Sequence, residues 1–435
     1  MADVVEVVAT DDPVRPLFSP AGELTAAARS RLGLSQDALR DLYRQMVLIR
    51  RADQEALNLQ RQGELGLWGQ FLGQEAIHVG AVAALQPDDW IFPSYREFGM
   101  AMCRGIDPAD MLTWFRGLSA GPWDPREFHF APLAVPVASQ VPHAVGFAMG
   151  SRFKKSKDVV LGTFGDGATS KGDWHEAMNF AGVFKAPVIF LCQNNHWAIS
   201  VPLAKQTAGS IAERAQGYGF PGIRIDGNDV LGVLAAVRGA AERARRGDGP
   251  YLIEAMTYRM GAHTTSDDPS RYRTETELQA WSVKDPVGRY RAWLEGQGII
   301  DGAAIKTIGD EGESMAHASW CSVRMLARSA GCSGSPMACR KPSGRSVSSI
   351  RRSPSPRSSA WPSDSRCAAS SRCPRSSSTG LSTPASTRSS ATSRSTAIDP
   401  GCRCRSPFAF RSAVTSGPSS TIPKVPKRTS LTRPA

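Results

Sequence analysis

The sequence predicts an α/β fold, a mostly parallel sheet flanked by helices. Three observations carry this. Short apolar runs alternate with segments of helical periodicity. The links between them are short. No apolar run approaches the ~18 residues that a membrane span needs. In chain order, residues 35–62 read as a helix, with Leu39, Leu42, Tyr43, Met46, Ile49 and Leu57 recurring at helical spacing. A polar, Gly-rich stretch follows, and Gly73-Gln74-Glu75-Ala76 starts another helix. Residues 158–164 form a short apolar strand. Residues 173–184 form a helix, with Trp174, Ala177, Met178 and Ala181 on one face as core residues. Residues 187–192 form a second strand. Residues 222–225 and 251–256 are further strands, separated by an Ala-rich helix over 229–245. Strand–helix–strand order with short links implies parallel pairing.

Charge divides the 435 residues into unlike pieces. The whole chain carries +12, but residues 315–435 hold 17 Arg and 3 Lys against Asp364 and Asp399, leaving −6 on residues 1–314. Glu313 is the last glutamate. Seven of the nine cysteines and 32 serines fall in the tail. A basic arm for RNA phosphates is one reading, and Arg351-Arg352-Ser353-Pro354-Ser355-Pro356-Arg357 suits it. Metal binding by the scattered cysteines is another, although no zinc spacing repeats. The joint loss of Glu and Tyr with gain of Cys, Ser, Arg and Pro fits best an out-of-frame or fused product without selected structure. The expected plan is an N-terminal extension over 1–34, an α/β domain over 35–310, and a Ser/Arg/Pro/Cys-rich tail over 315–435. The acidic first twenty residues have neither the basic start nor the apolar stretch of a signal peptide, so a cytoplasmic chain is expected.

The chemistry falls at the ends of two strands. The first ends in Gly165-Asp166-Gly167-Ala168 and the second in Asn194-Asn195. If these strands are parallel neighbours, both ends share the sheet edge where open α/β sheets bind ligands. Glycines let backbone N–H groups approach a phosphate, and the following helix offers its N-terminus to the anion. Asp166 and Asn195 are hard oxygen ligands of the kind Mg²⁺ takes beside phosphate oxygens, and the Trp197 carbonyl is placed to join them. Asp-Gly alone is a common turn. Asp166 and Asn195 stand 29 residues apart across one strand–helix–strand unit, which is far more specific.

These motifs resemble the diphosphate- and Mg²⁺-binding signature of thiamine-diphosphate enzymes. GDGATSKGDWHEAMNFAGVFKAPVIFLCQNNHWAIS (165–200), FPSYREFG (92–99) and YRMGAHTTSDDPSRYR (258–273) are similar to the alpha subunit of the decarboxylating first component of 2-oxoacid dehydrogenase complexes, of the pyruvate or branched-chain type. The resemblance covers roughly 35–300, and helical continuation after 296–301 is not expected. It implies thiamine diphosphate and Mg²⁺ as cofactors, with Asp166, Asn195 and the Trp197 carbonyl on the metal. It also places Tyr95, Arg96, Val137, Gly165, Gly167, Ala168 and Arg259 at the cofactor, and His263 beside its reacting carbon as a proton-transfer group near neutral pH. Asp267 and Asp268 are expected to order the His263 loop by capping or by pairing with Arg271 and Arg273.

The implied activity is oxidative decarboxylation of a 2-oxo acid with transfer of the acyl group to a lipoyl arm of an acyltransferase component. In that family a separate beta subunit supplies an activating glutamate, so an alpha₂beta₂ assembly is expected and the single chain should be inactive. Other readings are an acetoin-cleaving two-subunit thiamine enzyme, a truncated subunit that no longer assembles, and an RNA-binding protein acting through its tail.

Overall fold

The computed structural model describes residues 12–117 and 123–329. These belong to a compact unit spanning 1–344; a second unit, 345–435, lies outside the described residues, as do all tail cysteines but Cys321. Five parallel strands form the sheet. With the longer helices they run in the order α1 (Gln36–Arg61), α2 (Glu75–Ala83), β1 (Trp90–Phe92), α3 (Gln140–Phe153), β2 (Val160–Gly165), α4 (Gly172–Phe184), β3 (Val188–Asn194), β4 (Gly222–Asp226), α5 (Val230–Arg246), β5 (Tyr251–Met256) and α6 (Gly302–Ser329). The spatial order is β1-β2-β3-β5-β4, and every pair is parallel. Among the described residues no helix is long and apolar enough to cross a membrane.

Alternation along the strands makes two cores. Leu161, Ile189, Leu191, Ile223 and Ile253 face one side, with α1, α2 and α5 packed over them. Val160, Val188, Phe190 and Leu252 face the other, with α3 and α4. A strand buried on both faces reads as a continuous apolar run, as 158–164 and 187–192 do. Each fully buried Leu or Val contributes roughly 1.5–3 kcal/mol. The helix ends follow local chemistry. Ser35 Oγ accepts the Ala38 N–H at 3.1 Å to start α1. Asp229 caps α5 through the Leu231 N–H at 3.1 Å, and Gly247 ends it at φ 89°.

One expectation is corrected. Helix continues past 301: α6 runs to Ser329, through the expected boundary at 315. Ile305, Ile308 and Met315 pack against the core and Ala316 is buried. This is a stripe at helical spacing lying on α1. Arg44 pairs with Glu311, and Arg51 with Glu313 at 2.8 Å. Four of the five strands are those expected from the sequence; β1 and α3 were not anticipated. β1 is three residues long, and Gly146, Gly150 and Pro142 interrupt the apolar period of α3.

Asp53, on α1, is a buried carboxylate that accepts Trp68 Nε1 at 2.8 Å and the Phe71 N–H at 3.4 Å. Burial pushes its pKa up to about 7, with the two hydrogen bonds opposing. A raised acid in the folded state contributes stability below the unfolded pKa, and that contribution is lost as pH rises through the folded one. Asp53→Asn should therefore gain thermal stability relative to the parent between pH 5 and pH 8. Melting curves at both values check this; a constant difference would refute it.

Candidate functional site

Four loops leave the carboxyl ends of β1, β2, β3 and β5 and converge on one cavity of about 410 Å³. All eleven residues expected at the cofactor or metal line it: Tyr95, Arg96, Val137, Gly165, Asp166, Gly167, Ala168, Asn195, Trp197, Arg259 and His263.

The loop after β2 begins with a short helical turn at Asp166–Ser170. Thr169 Oγ1 donates to the Asp166 carbonyl at 2.8 Å. A Cβ on Gly167 would stand 2.8 Å from the Ala198 Cβ, so only glycine lets these two segments approach. Asp166 is buried. Its Oδ2 accepts from Gln206 Nε2 at 2.8 Å, and burial holds its pKa above the usual carboxylate range despite that bond. After β3 the chain turns sharply through His196, at φ 70°. Asn194 fixes the turn: its Oδ1 accepts the His196 N–H at 3.2 Å, and its Nδ2 donates to Glu254 at 2.7 Å. Asn195 Oδ1 accepts the Trp197 N–H at 3.3 Å. The Trp197 carbonyl accepts Arg259 Nη1 at 3.0 Å. Among the described residues no group of three or more His, Cys, Asp or Glu is placed to hold a metal. A cation here would thus take a mixed set of carboxylate, amide and backbone oxygens.

The loop after β1 is ordered by Glu97, which sequence reasoning did not single out. This buried carboxylate accepts from Ser94 Oγ at 2.7 Å, the Arg96 N–H at 3.1 Å and Gln193 Nε2 at 2.5 Å. Gln193 in turn meets His78 Nε2 at 3.1 Å. Nothing in the local sequence distinguishes Glu97 from a surface acid; only the fold buries it. The same holds for Glu254, and Gln206 was missed because only the fold brings it to Asp166.

Arg96 and Arg259 are 6% and 1% exposed. Their donors go to neutral acceptors. Arg96 bonds the carbonyls of Gln70 and His263. Arg259 bonds those of Trp197 and Ile199, at 3.0 and 2.8 Å, and the Tyr272 hydroxyl at 3.1 Å. Elsewhere part-buried arginines meet carboxylates, as Arg50 meets Glu75 and Asp285. Among the described residues neither Arg96 nor Arg259 forms an ion pair, and Arg259 Nε is buried without a partner. Two desolvated cations beside one cavity call for an anion.

Both guanidiniums also face His263 Nδ1, at 3.3 Å each. Arginine can only donate, so Nδ1 accepts and Nε2 carries the proton. Burial, then Arg96 and Arg259, push the His263 pKa down to about 3, with Asp267 opposing. With the arginines uncompensated, burial and the two adjacent cations favour the neutral imidazole of His263. Asp267 orders its loop as a cap, accepting the His263 N–H at 2.8 Å and the Tyr272 hydroxyl. Asp268 pairs with Arg271 at 3.7 Å, whereas Arg273 bonds the carbonyls of 259–261 instead of a carboxylate.

A parallel sheet with an anion-seeking cavity at its carboxyl edge defines a class, and the comparisons narrow it. Residues 43–319 match the family described as dehydrogenase E1 component, and the chain belongs to that family. Relatives that it resembles include alpha subunits. It is 50% identical over 289 residues to the 3-methyl-2-oxobutanoate dehydrogenase subunit alpha of Mycobacterium tuberculosis, covering 66% of this chain and 78% of the relative. It is 42% identical over 280 residues to the pyruvate dehydrogenase E1 component subunit alpha of Acholeplasma laidlawii, covering 64% and 81%. It is 40% identical over 292 residues to the 2-oxoisovalerate dehydrogenase subunit alpha of Bacillus subtilis, covering 64% and 88%.

Proposed function

We propose that the chain is the alpha subunit of a thiamine-diphosphate- and Mg²⁺-dependent enzyme that decarboxylates a 2-oxo acid and passes the acyl group to a lipoyl-bearing acyltransferase. Its proposed cofactor-binding domain spans 35–310, and a beta subunit completes an alpha₂beta₂ assembly. The supporting observation is the pair of buried arginines, Arg96 and Arg259, that lack carboxylate partners beside a cavity also lined by Asp166 and Asn195. These residues fit a metal–diphosphate group: the arginines supply cationic donors, Gly167 leaves the backbone approachable, and Asp166, Asn195 and the Trp197 carbonyl supply hard oxygens.

When bound, thiamine diphosphate supplies the carbanion chemistry and the electron sink for loss of CO₂. The chain's residues do the rest. Arg96 and Arg259 would neutralise the diphosphate, and Tyr95 and Val137 would help hold the ring-bearing part. His263, neutral with its proton on Nε2, donates a hydrogen bond to an oxygen of the substrate. Leu67, Phe115, Val135 and Ile199 line the same cavity, and an apolar wall suits a branched alkyl side chain. A branched 2-oxo acid, such as 3-methyl-2-oxobutanoate, is therefore the first substrate to try.

The test is turnover of 3-methyl-2-oxobutanoate and pyruvate by the full chain with and without its beta partner. Activity is expected only with the partner and higher on the branched acid. Decarboxylation by the chain alone would refute the shared-site reading.

A further inference from the structure

Gln74 lies at the start of α2, within the stretch expected to begin a helix and given no role in the site. Its side chain is fully buried and lines the site cavity, yet among the described residues neither Oε1 nor Nε2 has a hydrogen-bond partner. Burying an amide without a compensating hydrogen bond is costly, so native structures place such groups against a partner. The neighbouring cavity amide, on Gln193, is satisfied at both ends by His78 and Glu97. Among the cavity-lining amides, Gln193 is thus paired while both polar atoms of Gln74 are left over, as is Arg259 Nε across the same cavity.

Its backbone ties it to the metal side of the site. Thr257 Oγ1 donates to the Gly73 carbonyl at 2.8 Å, and the Thr257 N–H donates to the Asn194 carbonyl at 2.9 Å. Met260 N donates to the Leu72 carbonyl at 3.1 Å, which joins the same segment to the strand end carrying Arg259. A Cβ on Gly73 would lie 2.5 Å from the Tyr258 carbonyl, so the segment cannot move away without breaking this packing. Gln74 thus follows a segment tied through Thr257 to the Asn194 end of β3, and its amide nitrogen and oxygen are both free.

We infer that Gln74 is a further binding residue for the hydrated metal–diphosphate group, its Nε2 donating to a phosphoryl oxygen and its Oε1 accepting from a metal-bound water. A phosphoryl oxygen takes only donors, and a metal-bound water seeks an acceptor; an amide offers both. Mg²⁺ keeps several waters when it binds, so outer-sphere acceptors are part of such sites. This inference rests on the diphosphate reading above.

The test uses the full chain titrated with magnesium and inorganic pyrophosphate, and separately with thiamine diphosphate, by calorimetry. Gln74→Leu should weaken both by about ten- to a hundredfold. The ligand-free thermal midpoint should stay level or rise, because an unsatisfied buried amide has been removed. Gln74→Met, closer in shape, gives the same readout should the leucine variant misfold. Affinity within twofold of the parent would overturn the inference, as would a lower midpoint with unchanged affinity, which marks a packing role. Absence of binding by the parent itself would overturn the diphosphate reading, and this inference with it.

Discussion

Asp166→Ala is expected to abolish useful cofactor binding. The carboxylate is the one full negative charge among the oxygens offered to the cation. Asn195 and the Trp197 carbonyl supply only dipoles, and one of those dipoles already receives Arg259 Nη1 at 3.0 Å. Without Asp166 the cation loses its strongest ligand, and the diphosphate charge falls on the arginines alone. Loss of one ligand and its charge should weaken thiamine diphosphate by at least about a hundredfold in calorimetry with Mg²⁺. Asp166→Asn keeps the Gln206 neighbour in place and should show most of the same loss, separating charge from shape. The parent also carries a pH signature. Burial raises the Asp166 pKa, and the metal binds the deprotonated form. Affinity should therefore fall on acidification at a higher pH than an ordinary carboxylate would give. Unaltered affinity in Asp166→Ala would remove this residue from the site.

What could be read beforehand was set by how local each feature is. Asp166 and Asn195 sit at or just past the ends of strands whose apolar runs are unbroken, so two short patterns located the sheet edge and two residues that line its cavity. Arg96, Arg259 and His263 came from the resemblance, since a lone Arg or His in a polar loop carries no signal. The electrostatic state of His263 was illegible because it depends on two arginines, 167 positions upstream and four upstream, meeting the same nitrogen. Glu97, Gln74 and Glu254 were missed for the same reason. Each looks like a solvated polar residue until the sheet brings a second segment over it. α6 was missed because the composition of the chain past 315 masked a continuing stripe, Ile305, Ile308, Met315 and Ala316, that α1 covers.

The mixed character of His263 leads to the second large effect. His263→Asn should leave cofactor affinity within a few-fold of the parent, since the asparagine oxygen can still accept from Arg96 and Arg259. It lacks a donor where Nε2–H stood, and turnover with the beta partner should fall by about 10²–10⁴-fold. His263→Leu removes the acceptor too, so affinity should drop alongside turnover. The two variants separate orientation of the arginines from the role of the ring proton. The parent's imidazole offers an independent check. In the ligand-free chain, burial and two adjacent cations hold its pKa to about 3, so its ring nitrogens should show no titration between pH 5 and pH 8 by NMR. Magnesium pyrophosphate compensates Arg96 and Arg259 and removes part of the penalty on imidazolium, so the pKa should move up toward the ordinary histidine range. A His263 that titrates near 6.5 in the free chain would mean the arginines do not bear on it, and the neutral-donor role would fall.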